Sequence, residues 1–129
     1  GALAEFIKPL KFRVAGVLGD GKQKVSWIHI DDLCELYLYA LEYDSLQGIY
    51  NAVAPNPVTN EELTLNLARV LKGKGFIKMH VPAFALKLAM GGRSEEILKS
   101  TTVSARKTEA TGFIFRWPQI QPALADLVK

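Results

Sequence analysis

The chain has 129 residues, 49% hydrophobic and 22% charged, a balance that fits one soluble folded domain and argues against disorder. No apolar run reaches the roughly 18 residues of a membrane span, and Gly1 to Lys8 lacks the basic start and apolar centre of a secretory signal. The net charge of +3 does not point to nucleic acid, because no Lys or Arg occurs from Val25 to Ala68, where Asp31, Asp32, Glu35, Glu42, Asp44, Glu61 and Glu62 lie.

In chain order, Leu3, Phe6, Ile7, Leu10 and Val14 recur at helical spacing, predicting a helix kinked at Pro9 and ended by Gly16, Gly19 and Gly21. Lys24 to Ile30 reads as a short strand that delivers a helix N-terminus at Asp31 and Asp32, whose side chains suit a cap. Leu33, Leu36, Tyr37, Ala40 and Leu41 carry that helix to about Tyr43. Gly48 to Val53 reads as a second strand, closed by the turn Pro55-Asn56-Pro57. Thr59 and Glu62 have the spacing of a capping box, and Leu63, Leu67, Val70 and Leu71 continue the helix that it opens. Gly73 and Gly75 stop it.

Phe76 to Val81 is a third strand candidate, and Pro82 suits the first position of a helix from Ala83 to Met90. This helix is apolar almost all round and needs cover on several sides, so self-association of the chain as a homo-oligomer is expected. A short helix around Ser94 to Lys99 follows, then a helix capped by Ser104 and closed by Gly112. A brief strand at Phe113 to Phe115 and a last helix from Ile120 to Val128 complete an α/β domain with no internal repeat or linker.

Complete catalytic constellations are missing from this sequence. The glycines Gly16, Gly19 and Gly21 are spaced GxxGxG and, placed after a helix and before a strand, lack the strand-loop-helix context that aims backbone N–H groups at a pyrophosphate. No Tyr is followed four residues later by Lys, and no GxSxG is present. His29 and His80 are the only histidines, and Cys34, the lone cysteine, can form no intrachain disulfide and has no CxxC partner, so no metal site is expected and a reducing, cytoplasmic setting is. His29 suits either a structural place on a half-buried strand or a substrate contact, and Trp27 either core or a ligand platform. Asp31 and Asp32 fit a helix cap better than an acid/base pair.

The stretch from Gly19 to Leu33, with Gly19-Asp20-Gly21-Lys22-Gln23 and then Trp27-Ile28-His29-Ile30-Asp31-Asp32, closely resembles the NAD(P)-dependent epimerase/dehydratase family of extended short-chain dehydrogenases. Members of that family are often labelled nucleoside-diphosphate-sugar epimerase or cell-division inhibitor-like protein. The resemblance continues through Gly48-Ile49-Tyr50-Asn51 to Val58, Val81-Pro82-Ala83-Phe84, and Gly112 to Pro118 with Ala123 to Leu127. Ala15, where a glycine is usual, and Ala105, where proline is frequent, depart from it.

The resemblance implies that residues 1–129 are a single C-terminal, substrate-side domain of a larger Rossmann-type enzyme. The nucleotide-binding domain, with any Tyr/Lys pair and the bound NAD or NADP, would lie in the missing N-terminal part, leaving this fragment with no cofactor and no activity of its own. The partners implied are a nucleotide-sugar-like small molecule and that Rossmann domain, with no nucleic acid and no membrane. The resemblance also makes Lys22, Gln23, Trp27 and His29 the candidate substrate-binding residues. The competing expectation is a stand-alone α/β interaction module that binds a protein through the helix from Ala83 to Met90.

Overall fold

The computed structural model describes residues 7–43, 48, 50–92, 95, 98–100 and 103–128. Its elements are β1 (Val14–Leu18), β2 (Lys24–Val25), α1 (Ile30–Glu42), β3 (Val58–Thr59), α2 (Asn60–Lys72), β4 (Ile77–Val81), α3 (Ala83–Met90), α4 (Arg106–Ala110) and α5 (Ile120–Leu127). This is the expected α/β mixture. Two small sheets organise it: β1 and β4 run parallel, with Val14 beside Ile77 and Leu18 beside Val81, and β2 and β3 run antiparallel.

The N-terminal helix is shorter than its apolar spacing predicts. A helical turn covers residues 7–10, Arg13 takes a left-handed φ of 59°, and Val14 to Leu18 is strand. A helix cannot pass a left-handed residue, and the run Val14-Ala15-Gly16-Val17-Leu18 instead buries Ala15 and Val17 completely. Gly16 therefore sits inside a strand, and the glycine loop follows a strand.

β1 lies against α2, whose Leu63, Leu67 and Ala68 share a core with Leu10, Ala15, Val58, Ile120 and Leu124. α2 begins as predicted: Thr59 Oγ1 accepts from the Glu62 amide at 3.1 Å, and Glu62 reaches back to the Thr59 amide. Gly73, at φ 60°, ends it. A second, smaller core of Ala105, Phe113 and Phe115 takes Leu36 and Tyr39 from the inner side of α1.

Several boundaries move for one reason: an apolar run becomes a ladder strand only when another backbone is there to pair with it. Only Lys24–Val25 of the expected strand 24–30 pairs, and the chain from Ser26 to His29 is extended without a ladder. The described residues of 48–53 are not strand, although Ala54 donates to Trp27 O at 2.7 Å just beyond them. Phe113 to Phe115 alternates buried, exposed, buried as a strand does, again with no partner strand among the described residues. Pro82 is the N-cap of α3, one position before its expected place. Of the short helix at 94–99, residues 94, 96 and 97 lie outside the described residues, while Glu95 and Leu98 are helical. The N-cap of α4 is Ala105, one position after the expected Ser104, whose Oγ accepts from the Arg106 amide at 3.1 Å, and Gly112 follows α4 at φ 96°.

Replacing Thr59 by Ala should lower stability by about 1 kcal/mol, the usual value of a lost N-cap. Leu67→Ala, at a fully buried position, should cost about 2–5 kcal/mol. Urea unfolding followed by circular dichroism separates the two.

Candidate functional site

Parallel strands bring their C-terminal ends to one edge, and in α/β sheets that edge is where ligands bind. Here it carries the loop 19–23 after β1, the end of β4 and the start of α2. The loop is fastened from every side. Gly19 N donates to Val81 O at 2.8 Å, Gly21 N to Leu18 O at 3.0 Å, and Lys22 N to Asp20 Oδ1 at 2.9 Å. In return, Asn60 N and Glu61 N in the first turn of α2 donate to Gln23 O and Gly21 O.

These bonds decide what the loop can hold. A phosphate cradle needs amides that point outward, and the amides of Gly19, Gly21 and Lys22 are already used within the chain. The first-turn amides of Asn60, Glu61 and Glu62 in α2 are likewise used within the chain. The glycines serve close packing instead: a Cβ on Gly21 would stand 2.4 Å from Val17 Cγ1 and 2.9 Å from Glu61 Cβ, and its φ is 72°.

Of the four expected contact residues, Lys22 is exposed at the loop tip. Gln23 is 7% exposed, and its Nε2 donates to Leu18 O at 3.1 Å. Trp27 is half-buried against the main core, with Nε1 donating to Asn56 O at 2.8 Å. His29 is 1% exposed. All four lie on the run 19–29, but only Lys22 turns its polar head to solvent.

Around Lys22 stand the charged ends of neighbouring elements. Lys78 Nζ pairs with Glu61 Oε1 at 2.9 Å, and His80 Nδ1 donates to Gly19 O at 2.8 Å. The hydrogen bond from Lys78, then its charge, holds the Glu61 carboxyl below the usual carboxylate range, with lesser help from His80 and Lys22. His80 and Lys78 were not singled out by spacing, since only the β1–β4 register brings them to the loop.

His29 closes the other end of the run. As the N-cap of α1 it accepts from the Asp31 amide through Nδ1 at 2.9 Å, so Nε2 carries the proton and donates to Asp126 Oδ2 at 2.8 Å. Its ring stacks on Trp117 at 5.0 Å. His29, Asp31 and Asp126 are close enough to suggest a metal cluster, yet both imidazole nitrogens are taken by hydrogen bonds. The cap expected of Asp31 and Asp32 is thus supplied one turn earlier. Asp32, 1% exposed, accepts from the amides of Arg116 and Trp117, both at 2.9 Å, and pins that stretch to α1. Asp31, Cys34, Glu35, Ile114 and Arg116 line an open groove beside this junction.

Asp32→Ala would strand two backbone donors and should cost about 3 kcal/mol, whereas Asp31→Ala should cost far less, as thermal unfolding can compare. Lys78→Met should raise the Glu61 titration toward ordinary carboxylate values, readable by NMR. Because the folded-state value lies below the unfolded one, the pair stabilises above the unfolded titration and that contribution is lost as pH falls through the folded one.

The family model for the NAD dependent epimerase/dehydratase family matches residues 3–52, and a model named DUF1731, a domain of unknown function, matches residues 81–127. The epimerase family protein SDR39U1 of Mus musculus is 36% identical over 99% of this chain and 43% of its own length. The crystal structure of human epimerase family protein SDR39U1 (isoform 2) with NADPH superposes with a TM-score of 0.86 at 31% identity, covering 98% of this chain and 42% of that one. A nucleoside-diphosphate sugar epimerase from Corynebacterium glutamicum gives a TM-score of 0.66 at 30% identity over 97% of this chain and 22% of that one. The chain spans under half the length of the curated relative it matches. The glycine loop and the His29–Asp32 segment lie inside the matched region, and over it the chain is similar to the NAD-dependent epimerase/dehydratase family.

Proposed function

We propose that residues 1–129 are the C-terminal, substrate-side part of an NAD(P)-dependent epimerase/dehydratase whose preceding Rossmann domain binds the dinucleotide. In this reading the substrate is a nucleotide-sugar-like molecule, the protein works in the cytoplasm, and this part alone has no activity. The observation that carries it is the loop 19–23: its backbone is held at the C-terminal edge of β1 and β4, its Gly19, Gly21 and Lys22 amides are used within the chain, and Lys22 projects from it. Two similarities agree in kind, a neighbour solved with NADPH and a neighbour named as a nucleoside-diphosphate sugar epimerase.

Within this reading Lys22 supplies a mobile point charge to a phosphate or carboxylate of the substrate. Gln23 and Trp27 hold the loop and the following segment at fixed depth through Leu18 O and Asn56 O. His29 sets the start of α1 behind them. The apolar groups Ile77, Met79, Phe84 and Leu88, 54–84% exposed, leave the isolated chain prone to self-association. A stand-alone binding module using α3 is the second reading, favoured by Phe84 and Leu88 at 70% and 84% exposed.

Calorimetric titration tests the choice. The 129-residue chain should bind neither NAD nor NADPH, and the longer polypeptide should bind one dinucleotide per chain. In that longer protein, Lys22→Met should weaken a nucleoside-diphosphate sugar about tenfold, roughly 1.4 kcal/mol. Saturable dinucleotide binding by the 129-residue chain would sink the proposal.

A further inference from the structure

We propose that Ser26 and Ser100 are positioning residues for the loop that carries Lys22. Their hydroxyl oxygens tie the outer edge of β2 to the stretch that holds Leu98, Ser100 and Val103, and those ties set where the Lys22 ammonium stands. The inference rests on the proposed function and deepens it, by naming what keeps the charged residue of that site in place.

The loop has two ends, and they are held differently. At its start, Gly19 is bound to β4: its N–H donates to Val81 O and its C=O accepts from His80 Nδ1, both at 2.8 Å. At its finish the chain enters β2, which is two residues long and pairs with β3 along one edge. Lys24 lies opposite Thr59 in that antiparallel pair, and the adjoining bond from Asn60 N to Gln23 O means that the main-chain groups of Lys24 turn away from β3. The outer edge of β2 therefore needs partners of its own.

Those partners are side chains where a third strand would otherwise lie. Lys24 N donates to Ser100 Oγ at 2.9 Å, and Val103 N donates to Ser26 Oγ at 3.1 Å. The exchange is reciprocal, since each side gives one amide and one hydroxyl acceptor. A further contact sits at the start of the loop, where a Cβ on Gly19 would stand 2.9 Å from Leu98 Cδ2. Gly19, Lys24 and Ser26 thus meet Leu98, Ser100 and Val103 in the same order. The second stretch follows the first and grips the loop on both sides of position 22.

The strength of the two bonds suits a positioning role. Each is a neutral hydrogen bond in an exposed or part-buried setting, modest in strength and replaceable by water. The main core, with Ala15, Leu63 and Leu67, includes neither serine. Losing one hydroxyl therefore leaves the chain folded and frees one end of the loop. Lys22 is a point charge on a flexible stem, so its attraction to an anion depends on where its backbone stands.

Hydrogen exchange on the 129-residue chain tests the grip, and titration of the longer polypeptide with UDP-glucose tests its use. Ser100→Ala should speed exchange of the Lys22 and Lys24 amides about tenfold while the thermal midpoint stays within about 2 °C, and Ser100→Thr, which keeps the acceptor, should restore slow exchange. Ser26→Ala should have the same effect on the Val103 amide. In the longer protein Ser100→Ala should weaken UDP-glucose about fivefold, the scale of one modest hydrogen bond, and should add nothing once Lys22→Met is in place. Unchanged exchange at Lys22 and Lys24, no recovery in Ser100→Thr, or additive weakening in the double variant would overturn the proposal. The two ideas fail separately. Faster exchange in Ser100→Ala together with a silent Lys22→Met sinks the binding role given to Lys22 and supports the positioning of the loop, whereas weakened binding in Lys22→Met with unaltered exchange in Ser100→Ala sinks the positioning alone.

Discussion

The carboxylate of Asp32 carries a constraint on which much of this molecule depends. Buried at the start of α1, it accepts the amides of Arg116 and Trp117, 84 and 85 residues away. Without it, two donors that extended chain cannot pair internally would lose their acceptor in a part-buried setting. One turn earlier, His29 caps the same helix and reaches Asp126 in α5, 97 residues away. Trp117 lies between the two as the stacking partner of His29. The helix N-terminus is thus a junction where the middle of the chain, the aromatic run 113–117 and the last helix are fixed relative to one another. The positive end of the helix dipole suits the acidic pair Asp31 and Asp32 in its first turn.

What could be read from the sequence follows the range of the interactions involved. The capping box of Thr59 and Glu62 is complete within four residues, so the start of α2 was legible to the position. Gly73 and Gly112 stop helices by their own backbone freedom, equally local. β1 was hidden because Leu10 and Val14 extend a helical spacing, and only pairing with β4, some 60 residues on, makes the run a strand. His29 lost the cap to Asp31 in the sequence reading because aspartate is the commoner cap. The deciding partner, Asp126, leaves no local trace. Phe113 to Phe115 reads in the sequence as a brief strand, but an apolar run reports side-chain burial and cannot report whether a neighbouring backbone is present, and no ladder forms there.

The candidate site divides along the same line. That the run from Gly19 to His29 matters was visible as a family pattern, and Lys22 could be placed on an exposed loop. That Gln23 and His29 are consumed by internal bonds was not visible, because their partners Leu18 O and Asp126 belong to the folded loop and to the far end of the chain. The same holds for Glu61, Lys78 and His80, which meet at the loop only once β1 and β4 are in register. A conspicuous sequence motif here describes how a loop is built more than what it touches.

That construction limits how such a loop can change. Gly21 admits no side chain, Asp20 is tied to the Lys22 amide, and Gln23 is spent on Leu18 O, so the backbone path is specified by contacts within the loop and with the end of β1. Asp20 and Lys22 are both exposed, but Asp20 is held by the Lys22 amide, which makes position 22 the natural place for divergence. Homologous loops of this build can therefore exchange one side chain, and with it charge or reach, while their peptide geometry stays the same.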